Sequence, residues 1–132
     1  MPVTALLNME ELTMTIDQQT ECAVLPRAQV IAQLNDHLGK TLEGGTIVIT
    51  RNVRVLEGFN ALKLTTALAD YDRFDADNDP HGERDMGDFE LFNTDLYFKI
   101  DYYDLDLKFG SDDPADTSIT HRVITIMTEA EL

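Results

Sequence analysis

The chain is short of cysteine, of long apolar runs and of basic residues. Its single cysteine, Cys22, cannot form an internal disulfide and has no CxxC partner that would suggest a zinc site. No apolar run approaches the ~18–20 residues that cross a membrane. The N-terminus also lacks the basic start and apolar block of a secretory signal. These absences predict a soluble cytoplasmic protein without a disulfide framework.

The shortage of bases leaves a large excess of acids. The 132 residues contain 25 Asp and Glu against 10 Lys and Arg, and the formal net charge is −15. The segment from Asp70 to Asp116 alone holds 16 of the acids and only 4 of the bases. Such a field repels phosphate backbones and anionic membranes, and it attracts basic proteins. We therefore expect no direct nucleic-acid binding and no membrane binding, and we expect a basic protein as partner.

Apolar residues make up 43% of the chain, which is enough for a packed core. Residues 1–22 show no clean hydrophobic period, and residues 1–25 are predicted to form a loosely attached N-terminal arm. A single α+β domain is predicted over 26–132.

Two helices and a strand are predicted in the first half of that domain. A helix over about 26–38 has Pro26 near its start, apolar residues at helical spacing and Gly39 as its C-cap. The run TIVIT, after Gly44-Gly45, predicts a short buried strand. The run FNALKLTTALADYDRF, after Gly58, predicts the second helix.

Three further strands are predicted at 88–92, 96–103 and 120–127. The residues between the first two, Asn93 to Asp95, resemble a tight turn, although they lack the glycine that favours a two-residue hairpin. Within LYFKIDYY, alternation places Phe98, Ile100 and Tyr102 on one face and Tyr97, Lys99, Asp101 and Tyr103 on the other. The order α-β-α-β-β-β predicts an α+β fold, with two helices packed on a mainly antiparallel sheet of about four strands.

The segment 75–85, DADNDPHGERD, opens with the acid spacing of a calcium loop. An EF-hand would need glycine where Pro80 stands and a bidentate glutamate where Met86 stands. The sequence therefore predicts no EF-hand, no metal site and no cofactor. It leaves open whether the loop binds a divalent cation in another geometry.

Three motifs carry a family resemblance: NDPHGERDMGDFELF, FKIDYYD and GSDDPADTSITHRVITIM. Over about 28–127 they resemble a bacterial family known as domain of unknown function 3768. The resemblance implies no activity. Members of that family are often encoded on plasmids, integrative elements and phages, which implies roles in element transfer or in countering host defence.

The acids and this context together predict a small acidic interaction protein. It would bind and inhibit a basic nucleic-acid-handling host protein, in the manner of an anti-CRISPR or anti-restriction protein that mimics nucleic acid. Alternate strand residues lie ~6.6–6.8 Å apart on one face, so Asp104 and Asp106 are expected to present a row of charges. Tyr102 or Tyr103 would supply an aromatic anchor. The predicted partner-binding residues are Asp75, Asp77, Asp79, Glu83, Asp85, Asp101, Asp104 and Asp106.

The alternative is a small enzyme or metal-binding domain in which the acidic loop folds over a strand. Acid–base chemistry would then use His81, Glu83 and Asp85 against Asp101 and Tyr103. The chain has no HExxH, GxSxG or phosphate-loop motif that would support this reading.

The same motifs can also be interpreted as parts of the fold that have no binding or catalytic role. Asn78-Asp79-Pro80 is ordinary turn chemistry, because short polar side chains bond nearby backbone groups. Arg84 or Arg122 is expected to pair with an acid of the loop and hold it in place.

Overall fold

A computed structural model describes residues 25–132. Cys22 and the predicted N-terminal arm, except Leu25, lie outside the described residues. The described elements are helix α1 (Arg27–Thr41), strand β1 (Gly45–Ile49), helix α2 (Arg51–Arg54), helix α3 (Ala61–Asp70), strands β2 (Met86–Leu91), β3 (Thr94–Tyr103) and β4 (His121–Thr128), and a 3-10 helix (Glu129–Glu131). No helix in this part of the chain has the length and apolar character needed to span a membrane.

The four strands form one mixed sheet in the order β1-β4-β3-β2. Strand β1 runs parallel to β4, and the other two pairs are antiparallel. The core lies between the helices and one face of the sheet, and its buried side chains are Leu38, Val53, Leu64, Leu68, Tyr71, Phe89, Leu96, Phe98, Ile100, Ile124 and Ile126. The predicted α+β fold with a four-stranded, mostly antiparallel sheet is confirmed.

Helix α1 begins just after Pro26, as predicted, but it ends later than expected. Gly39 lies inside the helix, and Leu42 closes it in the left-handed conformation with φ 63°. The Leu42 N–H donates to the Leu38 carbonyl over 2.8 Å. The prediction of Gly39 as the C-cap is therefore wrong.

The second predicted helix is shorter in the structure, and it is preceded by the unpredicted short helix α2. The side chain of Asn60 accepts a hydrogen bond from the Lys63 N–H and starts α3. The helix ends before Tyr71, whose ring packs edge-on against Phe98 at 5.2 Å between centroids. We attribute the end of the helix to this aromatic contact, which joins residues far apart in the sequence and is therefore not visible in the local pattern.

The hairpin between β2 and β3 has a two-residue turn at Phe92 and Asn93. Both residues have positive φ, 56° and 55°, as the type I′ turn that matches strand twist requires. The predicted turn at Asn93–Asp95 is therefore one residue too late, and the missing glycine did not prevent a tight hairpin. Phe92 packs on Phe59, with ring centroids 5.7 Å apart, which offsets the cost of its conformation.

The alternation predicted for LYFKIDYY is confirmed. Leu96, Phe98 and Ile100 are buried on the face that carries the helices. The opposite face, which we call the open face, is not covered by α1, α2 or α3; the C-terminal 3-10 helix contacts β3, and Leu132 lies beside Tyr97 and Met127 on this face. From β2 and β3 it presents the side chains of Met86, Asp88, Glu90, Asp95, Tyr97, Lys99, Asp101 and Tyr103.

Candidate interaction surface

The acidic loop is built in part by its own polar side chains. Asp75 Oδ1 accepts hydrogen bonds from the backbone N–H groups of Asp77, over 2.9 Å, and Asn78, over 3.0 Å. Asn78 Oδ1 accepts from the Asp75 N–H over 2.9 Å, and Asp79 Oδ1 accepts from the Arg84 N–H over 3.0 Å. The turn chemistry predicted for this motif is present, and Asp75 and Asp79 hold the loop backbone.

A buried polar network joins this loop to α1 and to β3 and β4. Arg122, which is 2% exposed, donates from Nε to Asn35 Oδ1 over 2.8 Å and from Nη2 to the Pro114 carbonyl. Asn35 Nδ2 donates to the Glu83 carbonyl over 3.0 Å and to the Tyr102 hydroxyl over 2.9 Å. The Tyr102 hydroxyl in turn donates to Glu83 Oε1 over 2.9 Å. We call these five residues the Asn35 network.

Burial and neighbouring groups shift the pKa values of Tyr102 and Arg122 in this network. Burial raises the pKa of the Tyr102 hydroxyl well above its ordinary value, and its hydrogen bond to Glu83 adds to that shift. Burial lowers the pKa of Arg122, an effect that Tyr102 and Glu83 partly offset. Within residues 25–132, no carboxylate forms an ion pair with Arg122. Arg122 therefore donates its hydrogen bonds to neutral oxygens. Asn35 and Tyr102 connect it to the carboxylate of Glu83.

The prediction that Arg84 or Arg122 pairs with an acid of the loop is wrong. Arg84 Nε instead binds Asp36 Oδ1 of α1 over 2.7 Å, and its guanidinium lies 4.2 Å from the centroid of the Phe74 ring. Arg122 reaches the loop through Asn35. Both arginines contact α1 because the helix packs over the end of the loop, a contact that local sequence does not reveal.

Asp85 ends the loop in a half-buried position. Burial raises the pKa of its carboxyl, and the charges of Glu83 and Asp79 raise it further, whereas its own backbone N–H and His81 act in the other direction. Its carbonyl accepts from the Ile100 N–H over 2.7 Å and extends the β2–β3 pairing. Among the described residues, no group of three His, Cys, Asp or Glu side chains is placed to hold a metal ion.

The residues of the enzyme alternative lie on two sides of the sheet. Glu83 binds Tyr102 on the face that carries the helices. Asp101 and Tyr103 alternate with Tyr102 and therefore belong to the open face. Asp101 forms an ion pair with Lys99 at 3.4 Å. The structure does not bring the five predicted residues together at one site.

The predicted row of charges at Asp104 and Asp106 is also wrong, because β3 ends at Tyr103. Asp104 belongs to a turn in which its carboxylate accepts from the Lys108 N–H over 3.0 Å and its own N–H donates to the Phe109 carbonyl over 2.8 Å. Asp106 is exposed in the same turn. Of the two predicted aromatic anchors, Tyr102 is committed to the Asn35 network and Tyr103 belongs to the open face.

The open face carries a different acidic arrangement around β2 and β3. Glu90 stands directly opposite Asp95, and Asp88 stands opposite Tyr97. The pKa of Tyr97 is raised by burial and by the charges of Glu129, Asp88 and Asp95.

A cleft of about 320 Å³ lies beside Tyr97. The side chains that define what we call the acidic cleft are Pro80, Met86, Tyr97, Met127 and Leu132, with Asp77 and Asp88 as its acids and Lys99 as its base. Of the eight predicted partner-binding residues, Asp77 lines this cleft and Asp101 shares its face. The strand alternation placed Tyr97 on the correct face, but sequence reasoning did not select it. Asn35 was not selected from the sequence either. The signal that could have identified it is its position, since it is a polar amide among the apolar residues that α1 buries.

The model of a protein family described as "Protein of unknown function (DUF3768)" matches residues 49–131 of the chain. No curated protein shows significant similarity to the chain, and no solved structure does. The matched residues include all four segments that contribute Glu83, Tyr102, Pro114 and Arg122 to the Asn35 network.

Proposed function

This chain belongs to the DUF3768 family, whose function is unknown, and we propose that it is an acidic interaction protein that binds and inhibits a basic nucleic-acid-handling protein. The proposal includes an origin in a mobile genetic element or phage, which the family resemblance implies. Its target would be a component of a CRISPR, restriction or related complex of the host.

The observation that carries this proposal is the lack of charge compensation at the surface. Of the 16 acids between Asp70 and Asp116, only Asp101 and Asp113 form ion pairs with bases of the described chain. Several of the bases are occupied elsewhere. Arg122 is buried, and Arg73 donates to the Asp88 carbonyl over 2.6 Å. The negative field of the middle third is therefore left for a partner to neutralise.

Such a field favours association with a basic groove that normally holds nucleic acid. Charge attraction speeds encounter with a basic surface, and the effect weakens as salt screens the charges. The chain would occupy the groove in place of a phosphate backbone, so nucleic acid and this protein would compete.

The test is a pull-down of the tagged full chain from host lysate at low and at high salt, with the eluates identified by mass spectrometry. We expect recovery of a nucleic-acid enzyme or of a CRISPR or restriction subunit, and its release by salt or by added DNA. An empty low-salt eluate, or a partner that DNA does not displace, contradicts the proposal.

A series of exposed acids changed to their amides separates this mechanism from a catalytic or metal-binding one. A charge-based contact weakens gradually as charges are removed and as salt rises. A catalytic or metal site is lost when one residue is changed and responds much less to salt.

A further inference from the structure

We infer that the open face is the docking surface, and that it takes a lysine- or arginine-rich segment of the partner that inserts an apolar side chain into the acidic cleft. The inference rests on the proposed function and names the surface and the partner chemistry that this function would use. Three features of the described residues support it.

The first feature is apolar surface on a face that α1, α2 and α3 leave uncovered, next to the C-terminal 3-10 helix. Met86 is 42% exposed and Leu132 is 68% exposed, and both line the acidic cleft beside Tyr97 and Met127. Methionine side chains adapt to the shape of a bound group because they are unbranched and polarizable. The cleft therefore offers a flexible apolar contact to an incoming side chain.

The second feature is a pair of carboxylates that face each other across two strands. Glu90 and Asp95 are both exposed and are direct partners in the antiparallel register. Like charges at directly opposed positions destabilise a sheet. A cationic side chain placed between them would remove that repulsion, so the free protein carries a cost that a basic partner relieves.

The third feature is the charge balance around the cleft. Asp88 stands opposite Tyr97, and the charges of Asp95 and Glu129 also act on the Tyr97 hydroxyl. Lys99, the single base that β2 and β3 place on this face, is already in an ion pair with Asp101. Lys99 also lines the cleft, but its charge is offset by Asp101, and Asp77 and Asp88 of the cleft form no ion pair within the described residues.

These features select the partner chemistry. A second copy of the chain would bring its own net charge of −15 to the same surface, and nucleic acid and anionic membranes are repelled for the same reason. A basic segment without apolar side chains would leave the cleft empty. A segment that combines both satisfies the charge and the cleft.

The test is a titration of the isotope-labelled full chain, followed by NMR, with two synthetic peptides of equal length and charge. One alternates arginine with leucine, and the other alternates arginine with serine. We expect the arginine–leucine peptide to bind about tenfold more tightly, since burial of one leucine is worth at least the ~1.4 kcal/mol of a tenfold change. The shifted resonances should include Met86 and Tyr97. Equal affinities, or shifts confined to other surfaces, overturn the inference.

Two charge-matched double variants locate the contact. Glu90→Gln with Asp95→Asn removes two charges from the open face, and Asp106→Asn with Asp112→Asn removes two exposed charges from loops. We expect the first pair to weaken binding of the arginine–leucine peptide several-fold more than the second, with both variants folded by circular dichroism. Equal weakening by the two pairs overturns the inference.

The same variants distinguish this inference from the proposed function. If the host protein is recovered and the open-face pair binds it like the unmodified chain, the docking surface is wrong and the proposed function stands. If the peptide binds at the open face but no basic nucleic-acid-handling protein is recovered, the proposed function is wrong and the surface stands.

Discussion

Asn35 and Arg122 are 87 positions apart, yet Arg122 Nε donates a hydrogen bond to Asn35 Oδ1 over 2.8 Å. The bond fixes α1 on β4, and the second end of the Asn35 amide holds the Glu83 carbonyl. A buried guanidinium is costly unless its donors are satisfied. One amide therefore compensates a buried charge and anchors the acidic loop.

Asn35→Leu should lower the free energy of unfolding by about 3 kcal/mol, because it keeps the side-chain volume and removes the partner of a buried charged group. Urea unfolding measures the change. Gln33→Leu, at an exposed position of the same helix, is the control and should change stability little. Similar small effects at the two positions would show that the network does not stabilise the fold.

Gly87→Ala should destabilise the protein by about 1–3 kcal/mol, because the added Cβ would lie 2.6 Å from atoms of the buried Tyr71 ring. Gly39→Ala is the matched control within α1, where no atom lies within 4 Å of the added Cβ. That change should stabilise by roughly 0.5–1 kcal/mol, since alanine favours a helix interior. Thermal unfolding of the two variants checks both signs, and a harmless Gly87→Ala would contradict the contact with Tyr71.

Asp85→Asn should increase stability at neutral pH and change its pH dependence. The pKa of Asp85 is raised in the folded chain above its ordinary value of 3.8, so the folded state binds a proton before the unfolded state does. As pH falls through the raised pKa, this carboxyl therefore adds stability, and the gain is complete below the unfolded value. Urea unfolding of both proteins from neutral to acid pH should show their difference shrinking on acidification. A constant difference would contradict the raised pKa.

Glu90→Gln and Asp95→Asn should each stabilise the free protein by about 0.5 kcal/mol at low salt, because each removes repulsion between directly opposed carboxylates. The double variant should gain less than the sum of the two, since one neutral partner already ends the repulsion. Added salt should reduce the gains. Fully additive gains in a double-mutant cycle would show that the two carboxylates do not interact.

Local pattern determined a large part of the fold. The helical spacing around Ile31 and Leu38 and the strict alternation of LYFKIDYY depend on the periods of the helix and the strand, which are properties of the backbone alone. For that reason the fold class, the order of the main elements and the faces of β3 followed from the sequence. So did the turn chemistry of Asp75 and Asp79, because its hydrogen bonds join residues within a few positions of each other.

The tertiary structure decided what the polar residues do. Alternation predicts the side of a strand but not its end, so only the fold of the 104–110 turn revealed that Asp104 and Asp106 lie beyond β3. The partners of Arg84 and Arg122 lie 48 and 87 positions away. Strand register, which depends on the whole sheet, placed Glu90 against Asp95. The sequence by itself determined how much negative charge this protein carries, and long-range packing decided which acids support the fold and which remain exposed on its surface.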